Sequence, residues 1–139
     1  MNMKIDITPL AEFLYVKYAG VFSLADAKAT FKPILEACIF HRKRKVLVDV
    51  RQLTGAPTTM ERYSYSEFCA YSIIDFPLTE LRGTRFVYVG EIPLIDSDRF
   101  GETVARNRGM IVRVHESKEL PSALEWLGLD PAVFDLESG

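Results

Sequence analysis

The chain has 139 residues, 48% of them hydrophobic, and a formal net charge of -2 at pH 7. That length supports one domain with its own apolar core, and that charge supplies no overall field for collecting nucleic acid. Its two cysteines, Cys38 and Cys69, fall in apolar stretches with neither metal-ligand spacing nor the density of a disulfide scaffold, as expected in the core of a cytoplasmic protein.

Strands are predicted over 3–7 and 12–18, joined by the turn Pro9-Leu10-Ala11; in the second, Phe13, Tyr15 and Lys17 alternate with Leu14, Val16 and Tyr18. Ser23 is placed to cap a helix in which Leu24, Ala27, Phe31, Ile34, Leu35 and Cys38 share a face, running to about His41. Pro33 lies inside that helix, costs about 3 kcal/mol of helix propensity and should kink it unless packing compensates. Residues 45–50 are nearly continuous in β-branched and leucine side chains, the pattern of a strand covered on both faces. A loop from Arg51 to Thr59 leads to a helix over 59–76, then come a strand over 84–90 and a helix over 98–108 capped by Asp96 or Ser97 and stopped by Gly109. A strand over 110–115 and a helix in SKELPSALEWLG complete the pattern; Leu120, Ala123, Leu124 and Leu127 make its apolar stripe and Gly128 its stop.

After the hairpin, strand and helix alternate. The expected fold class is therefore α/β: an N-terminal β-hairpin, then alternating strands and helices, giving a central mixed but mainly parallel five-stranded sheet with four helices. Residues 1–130 are expected to form a single domain and 131–139 a C-terminal tail. The start MNMKIDITPL has no signal-peptide pattern, and no segment reaches the length of an integral membrane span.

Signatures of common chemistry are missing. His41 and His115 stand in different elements with no Cys, Asp or Glu at ligand spacing, so neither a metal nor another cofactor is expected. The glycines form no G-x-G-x-x-G, G-x-x-x-x-G-K or G-x-S-x-G. The basic run HRKRK at 41–45 suits phosphates or an anionic surface, but it also suits the negative end of a helix dipole, where cations are favoured and solvated. Arg106, Arg108, Arg113 and His115 form a second cationic group, and solvation of an edge strand accounts for it equally.

The helix over 59–76 is less ordinary. Tyr65, Phe68, Cys69, Ser72 and Phe76 make one stripe, while Met60, Tyr63, Tyr71 and Ile74 make a second, nearly opposite. A helix lying on a sheet needs one such stripe. The second suits a protein partner, a homo-oligomer contact or a ligand cavity, because tyrosine offers large contact area with a polar tip; alternatively, residues 76–83 fold back over it.

The succession of hairpin, helix, KVLVDVRQLTGAP, aromatic helix, RFVYVG and FGETVARNRGMIVRVHESKELPSALEWLG resembles the STAS domain, in particular its SpoIIAA-like branch, over residues 18–129. The resemblance implies a non-catalytic regulator that binds partner proteins or nucleotides, and the branch is also likened to lipid-binding CRAL-TRIO domains. In anti-sigma-factor antagonists, a phosphorylated serine in Asp-Ser-Ser-Gly opens the helix after this strand. Counted from Asp49, that position falls on Thr58 and Thr59, flanked here by Pro57 and Met60 in place of the motif's Asp and Gly. Thr58 with Glu61 three residues on also fits a capping box, which explains the threonine without a switch.

The leading expectation is a non-enzymatic, STAS-like regulatory or protein-interaction domain. Its site residues are Asp49, Arg51, Thr58 and Thr59 around the loop, with Tyr63 and Tyr71 on the aromatic helix. The alternative is a carrier of a small apolar ligand or lipid, with a pocket beside that helix. An enzyme using Asp49 or Asp96 as acid or base lacks a matched second group in the sequence.

Overall fold

Alternation at the start of the chain folds as an antiparallel pair, β1 (Met3–Pro9) beside β2 (Leu14–Val21). The computed structural model describes residues 2–76 and 81–132. Pro9 ends β1 instead of opening the turn, and the reversal is closed by Leu10 N–H donating to the Phe13 carbonyl at 2.9 Å. Helix α1 (Leu24–His41) starts at Ser23, whose hydroxyl accepts from the Asp26 N–H. It runs through Pro33 without interruption. Pro33 and Ala29, the residue whose carbonyl loses its donor, are both exposed, so water can serve that carbonyl while Phe31, Ile34 and Leu35 are fully buried on the opposite side. Each such side chain contributes about 1.5–3 kcal/mol by burial.

Strand β3 (Lys45–Thr54) is longer than its apolar run. The expected turn at Arg51 is strand, because Ala19, Gly20 and Val21 of β2 pair with Gln52, Leu53 and Thr54. The pairing jumps between Lys17 and Ala19, so Tyr18 faces both Val50 and Arg51 across a bulge, which returns Leu53 to the same core as Val50. Gly55 then turns the chain with φ of 125°, and α2 (Thr59–Asp75) begins four residues later. Next come β4 (Arg85–Gly90), α3 (Phe100–Asn107), β5 (Ile111–Glu116), a 3-10 turn (Ser117–Glu119) and α4 (Leu120–Trp126). Helix α3 starts later than expected: Asp96 accepts from the Asp98 and Phe100 N–H groups and holds residues 96–99 as a turn, with Arg99 left-handed at φ 56°. Residues 133–139, most of the expected tail, lie outside the described residues.

The strands lie in sequence order, β1 antiparallel to β2 and the other pairs parallel. Sequential order with crossovers of one hand puts α1, α2 and α3 on the same face. There Phe31, Leu35, Cys69 and Ala105 pack against Val46, Val48, Phe86 and Val112. The short α4 covers part of the other face, where Ala123, Leu124 and Leu127 meet Phe13, Leu47, Val87 and Val89.

Candidate functional site

Asp49 and Arg51 point to the α4 face of the sheet. Asp49 is 4% exposed and accepts from the Tyr15 hydroxyl at 2.6 Å and from Arg51 through Nε at 2.9 Å, Nη2 at 2.8 Å and the backbone N–H at 3.0 Å. Burial alone would raise its carboxyl pKa; the hydrogen bonds from Arg51 and Tyr15 outweigh that and hold it below the ordinary value. Burial first, then the hydrogen bond to Asp49, pushes the Tyr15 phenol well above its ordinary range. This is a saturated ion pair that ties β2 to β3 rather than a poised acid or base. Asp96 is likewise committed to two backbone N–H groups.

Thr58 is the N-cap of α2. Its hydroxyl accepts from Glu61 N–H at 3.1 Å, while the Glu61 carboxylate accepts from Thr58 N–H at 2.9 Å, the reciprocal pair of a capping box. Thr59 follows in the first turn, exposed. The basic run at 41–45 is drawn into the fold: Lys43 donates to the Ala11 carbonyl, Arg44 to that of Arg82 and Lys45 to that of Gly128. The second cationic group is dispersed too, with Arg106 near Glu102, Arg113 over the Trp126 ring and His115 beside Glu119.

Helix α2 sits between α1 and α3, and this widens its buried arc: Cys69, Tyr65 and Phe76 of the expected stripe pack on the core, joined by Ser66, Ala70 and Ile73. A Cβ added at Gly101 of α3 would lie 2.8 Å from Ser66 Oγ, so the close approach of α2 and α3 needs glycine there. Phe68, expected in the core, is instead 36% exposed with Lys28 of α1 over its ring. Tyr63 is half-buried and engaged within the fold. Its hydroxyl donates to Glu67 at 2.9 Å and accepts from Arg108 at 3.1 Å, and the Arg108 guanidinium lies over its ring, pinning α2 to α3. Met60, Tyr71 and Ile74 do stand in the open, at 72%, 47% and 61% exposure. The fold-back of residues 76–83 over this stripe falls partly on 77–80, outside the described residues.

The six expected site residues therefore do not form one site. Asp49 and Arg51 lie on one face of the sheet; Thr58, Thr59, Tyr63 and Tyr71 lie along α2 on the other. A cavity of about 140 Å³ does lie beside α2, but on its inner side, and neither Tyr63 nor Tyr71 lines it. Its phenols are Tyr18, Tyr65 and Tyr88: Tyr65 and Tyr88 share a hydrogen bond of 2.8 Å, and Tyr18 shares one of 2.6 Å with Thr30. Burial pushes the Tyr18 phenol up to about 12 and those of Tyr65 and Tyr88 well above their ordinary value, so all three stay neutral. A signal for this site was present in the sequence: Tyr18 and Tyr88 occupy inward positions of strands where Phe would bury more simply, and a buried hydroxyl needs a partner.

No family model matches the chain, and no curated protein matches it in sequence. Among solved structures it is similar to an anti-sigma factor antagonist from Mycobacterium paratuberculosis, at TM-score 0.56 and 13% identity over 91% of this chain and 94% of the other. It is also similar, at TM-score 0.47 and 18% identity over 91% and 94% of the two chains, to an uncharacterized DUF3478-family protein with a SpoIIAA-like fold from Shewanella loihica PV-4. A mixed five-stranded sheet, three crossover helices on one face and a short helix on the other give the chain a fold similar to that of the anti-sigma factor antagonist, in line with the resemblance in its sequence.

Proposed function

We propose that residues 1–130 form a single non-enzymatic regulatory domain that acts in the cytoplasm by binding a protein across the outer face of α2. The observation that carries this is the row of Met60, Tyr71 and Ile74, three large apolar side chains left in solvent on a helix whose opposite side is packed. Exposed apolar rows of this kind cost solubility and are kept where a partner covers them. Thr58 and Thr59, at the same end of the helix as Met60, fall within reach of that partner. One structural neighbour is an antagonist of an anti-sigma factor, which fits a chain whose partner is a protein. Asp49 and Asp96, the carboxylates best placed for catalysis, are saturated by hydrogen bonds within the fold, which supports a role without turnover. No helix of the described residues is long and apolar enough to cross a membrane.

The test is the double substitution Met60→Glu and Ile74→Glu, compared with wild type for co-purification from the native cell and for thermal unfolding. Both side chains are exposed, so melting should stay within a few degrees while association falls at least tenfold. Association unchanged by two buried-in-interface charges would overturn the assignment of this face.

A further inference from the structure

We infer that the cavity on the inner side of α2 is a binding site for a compact, neutral, mainly apolar molecule of single-ring size that carries one hydroxyl or carbonyl. This rests on the cavity alone and stands whether or not the outer face of α2 binds a protein. The cavity lies between the sheet and helices α2 and α3, with Pro57, Glu61 and Arg62 on one side of its mouth and Leu94, Ile95 and Asp96 on the other. That is the end of a parallel sheet, beyond the carboxyl ends of β3 and β4, where ligands of α/β proteins are usually received.

Size sets the first limit. About 140 Å³ is close to the roughly 150 Å³ of an engineered apolar cavity that takes up benzene, and offers room for a ring rather than for an acyl chain with its headgroup. The walls set the second: Val50, Leu53, Leu94, Ala105, Val112 and Val114 offer hydrocarbon on the sheet and helix sides.

Charge is the third limit. Every charged residue at the rim is already engaged: Glu61 in the capping box, and Arg62 with the Leu94 and Pro93 carbonyls at 2.7 Å each. Asp96 holds two backbone N–H groups, Arg99 donates to the Val114 and Asp96 carbonyls, and Glu102 lies near Arg106. An ionic guest would have to strip one of these of its partners, so a neutral guest is favoured. The polar groups left for a guest are the Ser66 hydroxyl, which lines the cavity, and the Tyr65–Tyr88 pair. Two hydroxyls that share one hydrogen bond have one O–H hydrogen left, which the Cys69 sulfur beside them accepts only weakly and a guest oxygen can take instead, and spare lone pairs besides. One hydroxyl or carbonyl on the guest completes that arrangement.

The experiment titrates the whole chain with phenol and with toluene, following methyl shifts by NMR. Phenol should bind saturably, moving the methyl signals of Leu53, Leu94, Val112 and Val114. Ala105→Leu fills the cavity from α3 and should abolish binding of both probes while the circular dichroism of the fold is kept. The pair Tyr65→Phe and Tyr88→Phe keeps the shape and removes both hydroxyls, so phenol should weaken about tenfold and toluene should not, the effect of one hydrogen bond. If Ala105→Leu fails to fold, the tyrosine pair decides. Absence of saturable binding by either probe, undiminished binding in folded Ala105→Leu, or equal effects of the tyrosine pair on phenol and toluene would overturn the site.

Discussion

Adjacent threonines at the start of α2 have separable tasks. Thr58→Ala removes the acceptor of one orphan N–H and half of the capping box, so it should lower stability by about 1 kcal/mol. Thr59→Ala, in the exposed first turn, should stay within about 0.5 kcal/mol of wild type; urea unfolding of the two variants checks the difference. Asp49 makes a prediction in pH. Its folded pKa is depressed, so its stabilisation is present above the ordinary carboxylate pKa of about 3.9 and is lost as pH falls through the folded value. Wild type should therefore lose stability on acidification below about pH 4, whereas Asp49→Asn, weaker at neutral pH, should show a shallower decline. Matching slopes of stability against pH for the two proteins would show that the ion pair with Arg51 adds nothing. Side-chain identity made the cap visible in advance, since Thr and Glu three apart have few other reasons to recur before a helix. The Asp49–Arg51–Tyr15 contact was hidden, because a bulge and a cross-strand register decide which side chains meet.

At the scale of the element, helices and strands with strong periodicity were legible and their ends were not. Helix α1 was visible from Phe31, Ile34 and Leu35, and Pro33 did not break it because the face that loses the hydrogen bond is the wet one. Pro33→Ala should then restore the bond to the Ala29 carbonyl and raise the melting temperature, by up to about 3 kcal/mol in stability less the entropy that Ala returns to the unfolded chain. A lower melting temperature would mean that the proline ring packs against something the helix needs. Strand β3 outran its apolar run because pairing with Ala19, Gly20 and Val21, rather than local propensity, holds Gln52 to Thr54 extended. Helix α2 was placed correctly and its buried arc in part, since Tyr65, Cys69 and Phe76 pack on the core and Phe68 does not. A helical wheel treats the sheet as the sole neighbour, whereas α1 and α3 flank this helix, drawing Ser66 and Ala70 inward and leaving Phe68 under Lys28.

Across the whole molecule, the order of elements carried the fold, since alternating strands and helices with one crossover hand leave few arrangements, and the sheet in sequence order is the simplest of them. Candidate site residues did not follow from that order. Asp49 and Thr58 are nine positions apart in sequence, yet the sheet separates them, one on the α4 face and the other on the helix-covered face. Tyr63 and Tyr71 share a stripe, but Arg108 and Glu67 hold Tyr63 within the fold, and the residues of that stripe most open to solvent are Met60, Tyr71 and Ile74, the face proposed for a partner. A photo-activatable cross-linker placed at Ile74, with a second at Glu125 on the far side of the sheet, tests that face in the native cell directly. The account predicts one discrete protein adduct from position 74, either a partner or a second copy of the chain, and none from position 125. No discrete adduct at 74, or the same adducts at both positions, would contradict it.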